Sequence, residues 1–214
     1  MAGAFITFEG GEGAGKSTQA EHLVRHLREL GHEVTATREP GGSPYAERLR
    51  TALLSERGAR LSAVEQAMLF AAARADHVAT VIAPALRDGA VVVCDRFADS
   101  TEAYQGAAGV DPALLAALTL VAAGDVRPDL TVILDCPAPV GSARTMDRGA
   151  RDPFDRDAAE VQERRRRAFL AIAERDARRC VVFDATLPPD ELAARITAVV
   201  EERVADLATA TPGR

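Results

Sequence analysis

Hydrophobic positions along this chain follow two alternating rhythms. Five short runs rich in β-branched and aromatic residues, at 5–8, 33–37, 91–94, 130–134 and 181–183, each stop at polar or glycine punctuation, as buried strands do. Between them lie longer stretches whose apolar residues recur three and four apart. Leu23, Val24, Leu27 and Leu30 form one such stripe, closed by Gly31 where a left-handed cap is favoured. Ser62, with Glu65 three residues on, has the form of a capping box; it opens a helix through Ala63, Met68, Phe70 and Val78 that Pro84 is expected to kink or end. Asp111 before Pro112 marks another helix start, and Pro189 with Asp190 begins a last helix to about Leu207.

Strands alternating with helices predict an α/β fold, a five-stranded parallel sheet flanked by helices on right-handed crossovers. The length of 214 residues suits a single domain, taken as residues 1–207, and the small, polar tail at 208–214 is expected to fray. Each strand run is followed at once by charge: Glu9, then Arg38 and Glu39, then Asp95 and Arg96, then Asp135, then Asp184. Open parallel sheets bind ligands outside the carboxyl ends of their strands, so all five ends are expected to point ionic groups toward one site.

Composition narrows the classes. Hydrophobic residues at 47% and charged ones at 27% exclude a disordered, collagen-like or disulfide-scaffold chain. A formal net charge of -6 argues against a nucleic-acid partner, because counterion release needs a concentrated basic face. Cys94, Cys136 and Cys180 sit in or beside apolar runs without metal-ligand spacing, which predicts buried free thiols in a reducing cytosol. No basic stretch precedes an apolar segment at the start, and no apolar run approaches the ~18 residues of a membrane span, so a cytoplasmic protein without a membrane partner is expected. Lysine and arginine number 26 together, yet Lys16 is the only lysine. A lysine kept against such a bias marks a place where a compact ammonium is needed and a guanidinium fork does not serve.

That lysine lies in Gly10-Gly11-Glu12-Gly13-Ala14-Gly15-Lys16-Ser17, which fits G-x-x-x-x-G-K-[ST] directly after a predicted strand and before a predicted helix. In such a loop the backbone N–H groups of residues 10–18, Thr18 included, converge on phosphate oxygens and the helix N-terminus adds a favourable dipole. The Lys16 ammonium reaches the outer phosphates of a nucleotide, and the Ser17 hydroxyl suits a Mg2+ ion that keeps most of its water. Guanine-reading GTPases need an N-K-x-D or T-K-x-D element and partitioning ATPases an extra lysine. With no asparagine and no second lysine, the chain can supply neither.

Further segments narrow the reading to one family. The loop, Arg38-Glu39-Pro40-Gly41-Gly42, Phe70 with Arg74 in L-F-A-A-A-R, Asp95-Arg96-Phe97, Ser100-Thr101-Glu102-Ala103-Tyr104-Gln105-Gly106 and Arg127-Pro128-Asp129-Leu130 together resemble bacterial thymidylate kinases, in order and spacing, over about residues 5–186. The resemblance implies a P-loop nucleoside monophosphate kinase fold, Mg2+, a homodimer, and transfer of the γ-phosphoryl of ATP to dTMP. A kinase for another monophosphate, or a nucleotide-binding regulatory module without turnover, is the alternative.

By the same resemblance Arg38 and Arg96 hold the acceptor phosphate, and Phe70 and Arg74 meet the thymine. Thr101, Tyr104 and Gln105 line the base and sugar, with Tyr104 crowding a ribose 2′-hydroxyl, and Glu12 lies near the acceptor 3′-hydroxyl. Asp95, at a strand end, either binds the hydration shell of the Mg2+ or orients the acceptor. A mobile lid at about 141–157 is implied, with Arg148 and Arg151 as its catalytic guanidiniums. Relatives often read D-R-x-E there, whereas this chain has Asp152-Pro153-Phe154-Asp155. The arginine run at 164–167 is expected to be a solvated helix face laced with ion pairs.

Overall fold

The computed structural model describes residues 3–147, 154 and 157–209. Five strands, β1 (Phe5–Gly10), β2 (Val34–Arg38), β3 (Val91–Asp95), β4 (Leu130–Asp135) and β5 (Cys180–Asp184), pair in parallel in the order β2-β3-β1-β4-β5. All five coincide with the predicted runs to within two residues at each end. The register sets Arg38 beside Asp95 and Phe8 beside Asp95, so β2 and β3 finish level with one another and β1 runs two residues further, to Gly10.

Strand side chains alternate between the two faces, and each face has its own cover. On one, Ile6, Phe8, Val91, Val93, Val132 and Leu134 meet Leu23, Val24 and Leu27 of α1 (Lys16–Glu29) and Leu192, Ile196 and Val200 of α9 (Pro189–Thr209). On the other, Phe5, Val92 and Cys94 pack with Phe97 and Ile82, while Ile133 packs with Tyr104, Phe169 and Ile172. Leu27 is 1% exposed, and its truncation to alanine would cost ~2–5 kcal/mol. Leu30, expected to extend the α1 stripe, is instead 54% exposed, because the chain turns away there. Gly31, at a φ of 87°, closes the helix as its spacing predicted, and His32 N–H donates to the Leu27 carbonyl.

The remaining helices are α2 (Pro44–Leu53), α3 (Ala63–His77), α4 (Ala83–Arg87), α5 (Ala98–Thr101), α6 (Pro112–Ala123), α7 (Ala138–Asp147) and α8 (Ala159–Arg175). The Ser62–Glu65 capping box forms in both directions at the start of α3. Pro84 does not break the run that follows. A π turn at Val78–Ile82 carries α3 into α4, and its wider winding relieves the clash between a proline ring and the preceding turn. One 18-residue window of the continuous stretch Ala63–Arg87 reaches a mean hydropathy of 1.2, enough to cross a membrane by length and composition alone, a test that the core helix of a folded domain also passes. Here it packs against α2 and α6 and carries a buried ion pair through Arg74.

A second π turn, Glu102–Gly106, continues α5 and turns Tyr104 and Gln105 inward; with Thr101 they are all buried, on one side as predicted. Cys94, Cys136 and Cys180 are buried free thiols, and burial raises the pKa of each, to about 11 for Cys180.

Candidate active site

The glycine loop leaves β1 and enters α1 at Gly15, which takes a left-handed conformation that a side chain would strain. Gly13 is required for a different reason: a Cβ there would lie 2.1 Å from the Gly141 carbonyl oxygen of α7. Lys16 is buried, and its Nζ donates to the Gly11 carbonyl at 2.6 Å. Burial, aided by the Arg96 charge, lowers its pKa from 10.5 to about 8. The ammonium is thus held in a place that disfavours its charge until anions arrive. Ala14 is buried among core residues, while Ser17 and Thr18 are exposed on the first turn of α1.

Ser17 Oγ donates to Asp95 Oδ2 at 2.5 Å. The other carboxylate oxygen, Asp95 Oδ1, is buried and has no partner among the described residues. A hydroxyl and an anionic oxygen side by side, one lone pair set unused, are the hard donors that suit Mg2+.

Beside this pair a cleft of about 250 Å3 opens at the carboxyl ends of β1, β2 and β3. It gathers Glu12, Gly13, Lys16, Ser17, Arg38, Phe70, Arg74, Asp95, Arg96, Thr101, Tyr104 and Gln105, which are drawn from five separate stretches of sequence. Gly10, Gly11, Ala14, Gly15 and Thr18 do not line it. The ends of β4 and β5 do not contribute either: Asp135 is held by Arg166 at 2.5 Å, and Asp184 accepts from the Thr186 hydroxyl and backbone. The expectation of five converging strand ends is therefore corrected to three.

Arg96 occupies a left-handed backbone position, φ 71°, unusual for a residue with a side chain. Its NH1 donates to the Gly10 carbonyl at 3.1 Å and to Ser100 Oγ at 3.0 Å, and its NH2 donates to Tyr104 OH at 2.9 Å. Burial opposes its charge, but Tyr104, Glu12, Asp95 and Glu9 around it raise its pKa above the ordinary arginine value. Tyr104 OH in turn donates to Glu12 Oε1 in a short hydrogen bond, and burial raises the tyrosine pKa so that it stays neutral. Arg38 sits at the mouth with its side chain 53% exposed, paired with Glu47 at 2.9 Å.

Phe70 and Arg74 both line the cleft from α3, yet their roles in the architecture differ. Arg74 is 2% exposed; its Nε donates to Glu39 Oε2 at 2.8 Å and its NH2 donates to Phe97 O and to Thr101 Oγ1. Glu39 is shared with His77, whose Nδ1 lies 3.1 Å from Oε1 and whose Nε2 lies 2.7 Å from Thr37 Oγ1. This Thr37–His77–Glu39–Arg74 chain, buried at all but Thr37, joins residues whose sequence spacing gives no sign of the contact, although Glu39 belongs to the Arg38–Gly42 motif. Glu9 was likewise noted only as a strand-end charge. It is fully buried, accepting from Phe97 N–H at 2.7 Å and Ser100 Oγ at 2.6 Å, so it braces the turn that carries Arg96. Burial beside Asp99 raises its pKa to about 8.

Arg148 and Arg151 lie outside the described residues. Phe154, between them and α8, does line the cleft, with its ring edge-on to Tyr104 at 5.7 Å. The expected arginine face laced with ion pairs holds for Arg166, paired with Asp135 and Glu163, and for Arg167, paired with Glu163, but fails for Arg165, which is 6% exposed and packed over the Tyr104 ring at 4.4 Å.

Comparison with known proteins agrees with this geometry. The thymidylate kinase family model matches residues 8–196. A thymidylate kinase from Bradyrhizobium sp. (strain BTAi1 / ATCC BAA-1182) is 50% identical over 206 residues, covering 94% of this chain and 91% of that protein. One from Caulobacter vibrioides is 51% identical over 203 residues, covering 94% of this chain and 98% of that protein. The crystal structure of thymidylate kinase from Ehrlichia chaffeensis superposes with a TM-score of 0.77 at 33% identity, covering 94% of this chain and 99% of that one. The sheet is that of a P-loop nucleoside monophosphate kinase, and the chain belongs to the thymidylate kinase family.

Proposed function

We propose that the protein transfers the γ-phosphoryl group of ATP to dTMP, giving dTDP and ADP. The observation that carries this is the meeting, in one cleft, of the phosphate-loop lysine and the Ser17–Asp95 pair with the strand-end guanidiniums Arg38 and Arg96. A site that only bound a nucleotide would have no use for the second set.

Phosphoryl transfer asks the protein for positioning and for neutralisation of charge. Loop amides and Lys16 hold the outer phosphates of ATP. Arg96, fixed by Gly10, Ser100 and Tyr104, presents its remaining capacity to the acceptor phosphate, and Arg38 closes on it from the mouth. Phe70 stacks on the thymine, while Arg74, made rigid by Glu39, and Thr101 with Gln105 address its edge. Glu12 Oε2, buried and without a partner among the described residues, accepts from the acceptor 3′-hydroxyl, and Tyr104 crowds the 2′ position. Ser17 and Asp95 would hold Mg2+, directly or through its water, and the bound ion would neutralise charge on the phosphates. Arg148 and Arg151 bring guanidiniums from a lid. The enzyme works as a homodimer in the cytoplasm, where its three thiols stay reduced.

The direct test is ADP release with ATP, Mg2+ and each of dTMP, dUMP, AMP, CMP and UMP in turn, with Lys16→Ala as control. Release that depends on dTMP supports the reading. Equal release without acceptor, or faster release with another monophosphate, refutes it.

A further inference from the structure

Behind the cleft wall, the guanidinium of Arg165 enters from α8 and is nearly fully buried. It lies 4.4 Å from the Tyr104 ring centroid and 5.5 Å from that of Phe154. NH2 pairs with Asp157, and NH1 comes to 3.6 Å from Glu12 Oε1. Among the described residues, neither Nε nor NH1 has a hydrogen-bond acceptor. A buried guanidinium with unmet donors is costly unless anions and aromatic faces answer it. Asp157 answers one side. Glu12 is the second anion, beyond hydrogen-bond length yet close enough for strong attraction away from water.

Anchoring α8 does not need this arrangement. Phe169 and Ile172 already bury that helix against Ile133, and the Asp157 pair alone would satisfy a structural charge. What the extra reach adds is a grip on the two groups that face the acceptor sugar. Tyr104 is held at its hydroxyl by Arg96 and Glu12 and at its ring by Arg165. Glu12, joined to Tyr104 through Oε1, is left with Oε2 unpartnered among the described residues.

We propose that Arg165 is a positioning residue for acceptor recognition, holding Glu12 and Tyr104 so that Glu12 Oε2 is aimed at the sugar 3′-hydroxyl. The inference rests on the dTMP reading above and deepens it, since Arg165 does not itself line the cleft.

The test compares dTMP with its 3′-deoxy analogue, which keeps the reacting phosphate but lacks the hydroxyl. Arg165→Met preserves length and apolar contact and removes the charge; Arg165→Lys preserves the charge. In Arg165→Met the preference for dTMP should shrink about tenfold, chiefly through the acceptor KM, with the ATP KM held within about twofold. Arg165→Lys should keep most of the preference. In a Glu12→Gln background Arg165→Met should reduce it no further, as two steps of one contact require.

An unchanged preference in Arg165→Met overturns the proposal, whatever happens to its melting temperature. If the methionine variant does not fold, the lysine variant decides: a preference as low as that of Glu12→Gln overturns the proposal, and a preserved one supports it. Wild-type protein that fails to phosphorylate dTMP would instead refute the underlying reading.

Discussion

Ser17 and Asp95, 78 residues apart in sequence, meet at 2.5 Å where the first turn of α1 faces the end of β3. The contact leaves Asp95 Oδ1 buried and unpartnered among the described residues, so part of the carboxylate's desolvation cost is not met by the protein itself. Such a group is set up to interact with something that arrives with the substrates.

The first prediction tests that arrangement with an isosteric change. Asp95→Asn should lower kcat by about a hundredfold or more, since one charge-stabilising group at a phosphoryl-transfer site is worth ~3 kcal/mol. Its melting temperature should stay near that of the wild type, because the amide still accepts from Ser17. Turnover of the asparagine variant within a few-fold of wild type, measured by ADP release across a Mg2+ titration, would exclude the role.

Lys16 supplies a pH dependence. Its pKa is lowered to about 8 by burial and by Arg96, so the unliganded fold disfavours the charged form. The contribution of this depressed group to stability is full above its unfolded value near 10.5 and is lost as pH falls through about 8. Phosphates reverse the preference by favouring the ammonium. ATP affinity should therefore fall as pH rises through about 8, with proton uptake on binding near that pH. Calorimetry in two buffers of different ionisation enthalpy reads the uptake; binding that releases protons there would contradict the assignment.

Glu39 binds Arg74 and His77 at once, with all three side chains almost fully buried. Glu39→Gln leaves the arginine charge uncompensated away from water, and loss of one partner of such a pair costs ~3–5 kcal/mol. Denaturant unfolding should register a loss of that order. Surviving folded enzyme should show a raised acceptor KM, because Arg74 lines the cleft between Phe97 and Thr101. A variant as stable as wild type with an unaltered acceptor KM would show that the chain of contacts carries neither role.

The proposed roles of Arg148 and Arg151 are tested by truncation. Arg148→Ala or Arg151→Ala should reduce kcat by well over tenfold, by the same electrostatic argument. Wild-type turnover in both variants would remove these residues from the chemistry.

The fold was largely legible because its signals are local. Strand runs, the Ser62–Glu65 box, the Gly31 stop and the Asp111 cap each depend on neighbours within a few residues, and all formed as expected. The glycine loop was legible because backbone geometry demands its residue types. Contacts between distant segments were not. Arg165 stands in a run that reads as a charged helix surface, and nothing nearby shows that one of its turns faces Tyr104, whose own direction depends on a π turn. That the helix does not end at Pro84 was illegible for a similar reason, since the turn that accommodates it, Val78–Ile82, has no distinctive sequence.

Association is the remaining expectation open to measurement. Val64 and Met68 on α3 and Leu120 and Val121 on α6 are 38%, 51%, 58% and 84% exposed, on two helices that pack against each other. Large apolar side chains left in water favour burial against a partner, at roughly 25 cal/mol per Å2 covered. Sedimentation should find the wild-type protein at twice the chain mass, and Met68→Glu combined with Leu120→Glu should convert it to a monomer, since two buried charges per protomer would lack partners. Neither side chain lines the cleft, so an intact fold in the charged variant is expected from its circular dichroism. A wild-type monomer at micromolar concentration, or a charged variant that still dimerises, would place the subunit contact elsewhere or remove it.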